Sequence, residues 1–171
     1  LFNPSFPYRL SHTLVASGLT VAFLVAGLSA YRWRRGETAG DAALTLRMGV
    51  RLAAVLIPLQ ILLGDLHGLN TLQHQPAKIA AMEAVWTTER GAAFTLIGLP
   101  DEETRSTRYA IKIPYAASLI LTHSADGEVK GLNEYEGQHP PVAMVFWSFR
   151  VMLGMGMLML LVSWFAAWQL R

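Results

Sequence analysis

Residues Leu10 to Tyr31 read LSHTLVASGLTVAFLVAGLSAY and hold no Asp, Glu, Lys or Arg. Wound as a helix, a run of that length reaches about 30 Å, the thickness of a bilayer's hydrocarbon core. A membrane span is the expected structure. It does not read as a signal peptide: no basic leader region precedes it, no small-residue cleavage site follows, and Tyr31-Arg32-Trp33-Arg34-Arg35 closes it as an interfacial anchor does. Gly18, Ala22, Ala26 and Ala30 recur every fourth residue, a small-residue stripe against which another helix can pack closely.

Working outward, a second apolar run covers Leu52 to Leu63 and reaches about 20 residues when counted from Leu44, with Arg47 and Arg51 able to snorkel to the interface. Pro58 lies inside it and is expected to kink it. A third stretch, Pro141 to Leu170, is free of charge except at Arg150, and Trp164 and Trp168 near its end suit an interface. Composition agrees: 53% of the 171 residues are hydrophobic and the mean hydropathy is +0.34, while only 15% are charged, against roughly 25% in ordinary soluble domains. The chain has no Cys, which excludes a disulfide framework, a Cys zinc site, an iron–sulfur cluster and a thioether-attached haem. A net charge of +2 gives no basic footprint for nucleic acid, which is not expected as a partner.

Charge sets the expected orientation. Arg32, Arg34, Arg35, Arg47 and Arg51 crowd the short link between the first two spans, and Arg171 follows the third on the same side. The segment from Gly64 to Pro140 carries ten acids against six bases. Because positive flanks favour the cytoplasm, the long segment is expected outside. The reading is an all-α membrane protein: three transmembrane helices, part of a larger helix bundle, with a long extracytoplasmic loop between the second and third. Residues 1–63 supply two spans and the cytoplasmic link, residues 64–140 the loop, and residues 141–171 the last span. Within the loop, Gln75 to Thr88 reads as a helix, Tyr109 to Thr122 as a strand or an interfacial segment, and Ser124 to Gly127 as a turn.

Ionisable residues inside a span cost at least ~2.5 kcal/mol each near its centre and so point to function. His12 lies about two turns into the first span and Arg150 a similar or slightly greater distance into the third; both spans are entered from the same side, so the two depths are comparable. Met152 follows Arg150 by two positions. Neutral imidazole and thioether are a recurrent axial pair for a low-spin haem iron, and a guanidinium nearby can hold a propionate. The same residues are also compatible with a hydrogen-bonded core imidazole, a packing methionine and an arginine paired with an acid on a helix that this chain lacks. In the loop, Asp65, Gln75, Lys78 and Glu83 form a polar group near the membrane exit. Lys78 and Glu83 are five apart and point about 140° away from each other on a regular helix, so they do not make the usual i,i+4 pair. A carboxylate and an ammonium around a headgroup-level pocket suit a quinol, one accepting a hydroxyl proton and the other polarising the oxygen; two solvated helix charges are the plainer alternative. His67 and His74 are seven apart and lack a third metal ligand.

Gly64-Asp65-Leu66-His67-Gly68, followed by Gln75-Pro76-Ala77-Lys78-Ile79-Ala80-Ala81-Met82-Glu83-Ala84-Val85-Trp86, closely resembles the start of the quinol-binding loop in subunit I of cytochrome bd-type quinol oxidases. Phe146 to Gly154 (FWSFRVMLG) resembles the motif after that loop, and Ser11 to Gly18 (SHTLVASG) the motif on the helix before it. The quick passage from Tyr109–Tyr115 to Pro140-Pro141 is similar to the short-loop branch that includes the cyanide-insensitive oxidases. The resemblance implies that His12 and Met152 are the axial, metal-binding ligands of a low-spin haem b and that Arg150 lies beside it. It further implies that Lys78 and Glu83 are catalytic residues of quinol oxidation, with Gln75 and Asp65 as weaker cofactor-site matches. It implies a multi-pass protein of the bacterial inner membrane, with its loop on the periplasmic or extracellular side, ubiquinol or menaquinol as substrate, and subunit II, the rest of subunit I and membrane lipid as partners. The family's high-spin haems b and d belong to helices with no counterpart here, so the chain reads as a central fragment of a respiratory quinol:oxygen oxidoreductase that contributes to the proton motive force, inactive alone. A haem-free membrane anchor or interaction subunit is the alternative.

Overall fold

The computed structural model describes residues 3–37 and 40–171; positions 38 and 39 of the arginine-rich link lie outside the described residues. Among the described residues three helices are long and apolar enough to cross a membrane, as expected. Helix α1 spans Phe6–Arg34 and begins with Pro7 in its first turn, where a missing N–H costs nothing. Helix α2 spans Gly40–His74 and runs through Pro58. Helix α5 spans Val142–Gln169. Between α2 and α5 come α3 (Pro76–Glu83), β1 (Glu89–Arg90), β2 (Phe94–Asp101), β3 (Ser106–Ile113), α4 (Ala116–Thr122) and β4 (Glu128–Val129).

The chain divides into two compact units, residues 1–67 with 154–171, and residues 68–153. In the first, Leu19, Ala22, Ala53 and Ile57 form a buried cluster joined by Met159 and Leu160 of α5. The small-residue stripe does what its spacing predicts: a Cβ added to Gly49 of α2 would stand 2.9 Å from both the Ala22 carbonyl oxygen and the Ala26 nitrogen, so the two backbones nearly touch. Ser29 and Thr45 share a hydroxyl hydrogen bond of 2.8 Å across the same pair of helices, and Trp164 donates from Nε1 to the Ala54 carbonyl at 3.1 Å.

The second unit is more than a helical loop. Strands β2 and β3 form an antiparallel hairpin, Phe94 opposite Ile113 and Asp101 opposite Ser106, and β1 pairs with β4. Two clusters hold the unit together. Ala80, Ala81, Ala84, Leu132, Val142 and Phe146 pack α3 on the start of α5, and Val85, Ala92, Phe94, Ala117 and Val129 tie the strands to α4. Ser118 stitches two loops: its Oγ accepts from the Ala92 N–H and donates to the Gly127 carbonyl, each at 2.7 Å.

Three local expectations need amendment. The helix expected over Gln75–Thr88 stops at Glu83, because Ala84 takes a left-handed conformation (φ 50°) and the Val85 N–H turns back to the Ala80 carbonyl at 3.0 Å. The stretch Tyr109–Thr122 is neither one strand nor one interfacial segment: β3 ends at Ile113, and Tyr115, itself left-handed (φ 62°), caps α4. The second span continues well past Leu63 to His74, so Asp65, His67 and His74 are helical rather than loop residues.

Candidate functional site

Arg150 is the one charge in α5, and the second unit is built to receive it. Nε donates to the Thr95 carbonyl of β2 at 2.6 Å, and the two terminal nitrogens grip Glu83, NH2 to Oε2 at 2.7 Å and NH1 to Oε1 at 3.5 Å. Three rings enclose the cation, with Phe94, Phe146 and Phe149 centroids 4.3, 4.5 and 5.3 Å from Cζ; the ring faces attract it electrostatically. Phe146 precedes Arg150 by four residues and so shares its helix face. Arg150 is 8% and Glu83 5% exposed. Burial pushes the Glu83 carboxyl up from its usual range, and the Arg150 guanidinium pulls against it. The partner once sought on an absent helix is therefore within this chain, and Glu83 is not a solvated helix charge.

Glu83 closes α3, and the left-handed Ala84 after it ends the helix there. Lys78, one and a half turns earlier, stays exposed. It lines an open pocket of about 700 Å³ together with His74, Gln75, Tyr135, Gln138 and His139. The structure thus separates the two loop residues that the sequence grouped: Gln75 and Lys78 border the pocket, while Glu83 is not among its lining residues. Asp65 is exposed on α2.

Sequence reasoning weighed His74 only as a metal ligand beside His67 and read His139 as a loop residue. His74 donates from Nδ1 to the Asn70 carbonyl at 2.9 Å, and His139 from Nδ1 to the Pro140 carbonyl at 3.1 Å. A carbonyl only accepts, so both imidazoles, when neutral, carry hydrogen on Nδ1 and a lone pair on Nε2. The signal was faint: two histidines 65 positions apart, either side of a segment that folds back on itself.

In the first unit, His12 of α1 is half-buried, its Nε2 3.0 Å from Gln60 Nε2, with the His67 ring 5.9 Å away. His12 Nδ1 and Gln60 Oε1 are both buried without a partner. Turning the Gln60 amide end for end lets His12 Nε2–H donate to Oε1, which leaves Nδ1 as an unused lone pair. Beside the ring is Gly64, where a Cβ would meet His12 Cε1 at 3.3 Å. An imidazole anchored at one nitrogen and left without a partner at the other, beside a glycine that adds no Cβ at its Cε1, has the donor chemistry of a metal ligand. Gln60 was not singled out from the sequence, although it is the polar residue that interrupts the apolar run from Leu52 to Leu63. Met152 of α5 is 54% exposed. Arg150 uses three of a guanidinium's five N–H donors, which leaves two for an anionic group.

The family model described as cytochrome bd terminal oxidase subunit I matches residues 1–171. The chain is 30% identical over 183 residues to cytochrome bd ubiquinol oxidase subunit 1 of Bacillus subtilis (strain 168), covering 99% of this chain and 38% of that protein. To cytochrome bd-II ubiquinol oxidase subunit 1 of Escherichia coli (strain K12) it is 27% identical, covering 99% of this chain and 46% of the relative. The structure of bd oxidase from Geobacillus thermodenitrificans superposes with a TM-score of 0.88 at 30% identity, over 97% of this chain and 38% of that one. The chain therefore spans less than half the length of each of these relatives.

Proposed function

Because this chain belongs to the cytochrome bd terminal oxidase subunit I family, we propose that it is the electron-entry part of a respiratory quinol oxidase, in which quinol is oxidised at the outer membrane surface. His12 and Met152 would hold a low-spin haem b, which would supply a one-electron acceptor. The observation that carries this reading is the His12 imidazole, anchored by Gln60 at one nitrogen and unpartnered at the other. Arg150, its charge balanced by Glu83, would offer its two remaining N–H donors to an anionic group such as a propionate. Lys78 and Gln75 hold the quinol ring oxygen at the mouth of the open pocket. Glu83 acts on quinol oxidation through Arg150, by fixing the guanidinium two residues from Met152. The substrate is ubiquinol or menaquinol; protons leave to the periplasmic or extracellular side, and electrons continue to the high-spin haems b and d of the intact complex, beside subunit II.

Dithionite-reduced spectra of the intact complex test the ligand assignment. Met152→Leu should abolish the low-spin haem b band, and an unchanged band overturns the assignment. Lys78→Ala should raise KM for a short-chain quinol while turnover with an artificial one-electron donor persists. The second reading, a haem-free membrane anchor, draws on one observation: Arg150 is already neutralised by Glu83 and needs no further anion. A haem-free purified complex would favour it.

A further inference from the structure

We propose that the imidazoles of His139 and His74, rather than the carboxylate of Glu83, receive the hydroxyl protons of a quinol seated against Lys78. This rests on the reading of the pocket given above and extends it to the groups that move protons there. A quinol ring presents two hydroxyl donors, so its site needs acceptors. Glu83 cannot serve as one: both of its oxygens are turned to Arg150, it is buried, and it is not among the residues lining the pocket. His74 and His139 do line it, and each has Nδ1 committed to a backbone carbonyl. That leaves the lone pair of Nε2 as the ring's free acceptor. Lys78 complements them, a cation able to donate to a quinol oxygen as negative charge builds on it.

The balance is simple. Oxidation of quinol to quinone releases two electrons, which a bound haem would accept, and breaks both O–H bonds; the two protons pass to imidazole Nε2 atoms. His139 has a further distinction. It also lines a second cavity, of about 250 Å³, whose walls include Glu102, Arg105 and Glu136. An imidazole bordering both spaces can take a proton from the first and release it toward carboxylates in the second. Arg105 pairs with Glu136 at 2.7 Å, and Glu102 accepts the Val142 N–H at 2.8 Å.

The test uses the intact oxidase complex with decylubiquinol as donor, beside an artificial one-electron donor that brings no hydroxyl. His139→Gly should cut kcat for the quinol by about 100-fold, in line with loss of a proton acceptor, with little change in KM, an unchanged reduced-haem spectrum and intact artificial-donor turnover. Added imidazole should restore quinol turnover in that variant, which a purely structural lesion would not allow. His74→Ala should give the same pattern, weaker. Full quinol kcat in the His139→Gly/His74→Ala double variant, or loss with both donors and no rescue, overturns the proposal. Lys78→Ala separates the two levels: if it impairs quinol oxidation and the histidine variants do not, the pocket stands and the proton acceptors are wrong; if none of the variants matters, the pocket itself is misassigned.

Discussion

Glu83 and Arg150 lie 67 positions apart in the sequence and meet at 2.7 Å, both almost wholly buried. Such a pair is weak evidence of net stabilisation, since two charges have been taken out of water, but removing one partner strands the other at a cost of about 3–5 kcal/mol. Glu83→Ala should therefore lower the melting temperature of the complex markedly, because Arg150 keeps its three aromatic neighbours and the Thr95 carbonyl but loses its counter-ion. Glu83→Ala combined with Arg150→Met should be less destabilised than the sum of the two single variants. Thermal unfolding of the four proteins of this double-mutant cycle reads the coupling, and strict additivity would show that the pair contributes nothing.

The hairpin turn carries a pH dependence of known sign. Asp101 Oδ1 accepts from the Thr104 and Glu103 N–H groups, and Oδ2 from Arg108 at 2.6 Å. Thr104 above all, then Arg108, holds the carboxyl below its ordinary value of 3.8. A depressed folded-state value means that this support is fully present above the ordinary carboxylate range and is lost as pH falls through the lowered one. Amide hydrogen exchange over residues 101–108 should speed up, beyond its intrinsic pH trend, as pH drops below about 4. Asp101→Asn keeps an acceptor for the two N–H groups but has no charge to titrate, so its exchange should lack the acid-side change, and an identical profile in the two proteins would remove the carboxylate from the account.

How much of this was legible beforehand depends on the range of the signal. Spans show in the sequence because hydrocarbon demands long uncharged runs, and the stripe from Gly18 to Ala30 announced a close helix contact that Gly49 then supplied. Arg150 stood out as costly. Its partner did not, because the pairing is made by chain reversal at Ala84, a left-handed residue with no Gly or Asn to mark it. For the same reason Lys78 and Glu83 read as one polar group although the fold sends them to different places. Part of β3 fell within the stretch offered as a strand, but β2 was missed because Leu96, Ile97 and Leu99, exposed in this chain, do not alternate as a half-buried strand would.

The contact at Gly49 admits a direct check. A Cβ there would lie 2.9 Å from two backbone atoms of α1, and backbone cannot move aside as a side chain does. Gly49→Val should force α1 and α2 apart and cost at least about 1–3 kcal/mol, read as reduced yield and a lower melting temperature of the complex. Gly27→Ala makes the control, since nothing stands within 4 Å of its Cβ position; equal losses in the two would show that helix contact is not the cause.

Gln60 offers the sharpest test of the first unit. Its amide is 3.0 Å from His12 Nε2, and a ligating histidine depends on the partner of its other ring nitrogen for tautomer, orientation and basicity. Gln60→Leu keeps the volume and removes the hydrogen bond, so His12 should ligate more weakly and in more than one orientation. The expected outcome is a shifted midpoint potential and a broadened low-spin haem band, with haem retention or quinol turnover down about 10–100-fold, while Gln60→Glu, which still accepts from Nε2–H, should preserve the band and lower the potential through its negative charge. If Gln60→Leu leaves both the potential and the band untouched, His12 is held by something other than this amide, and the assignment of the free Nδ1 as the ligating atom falls with it.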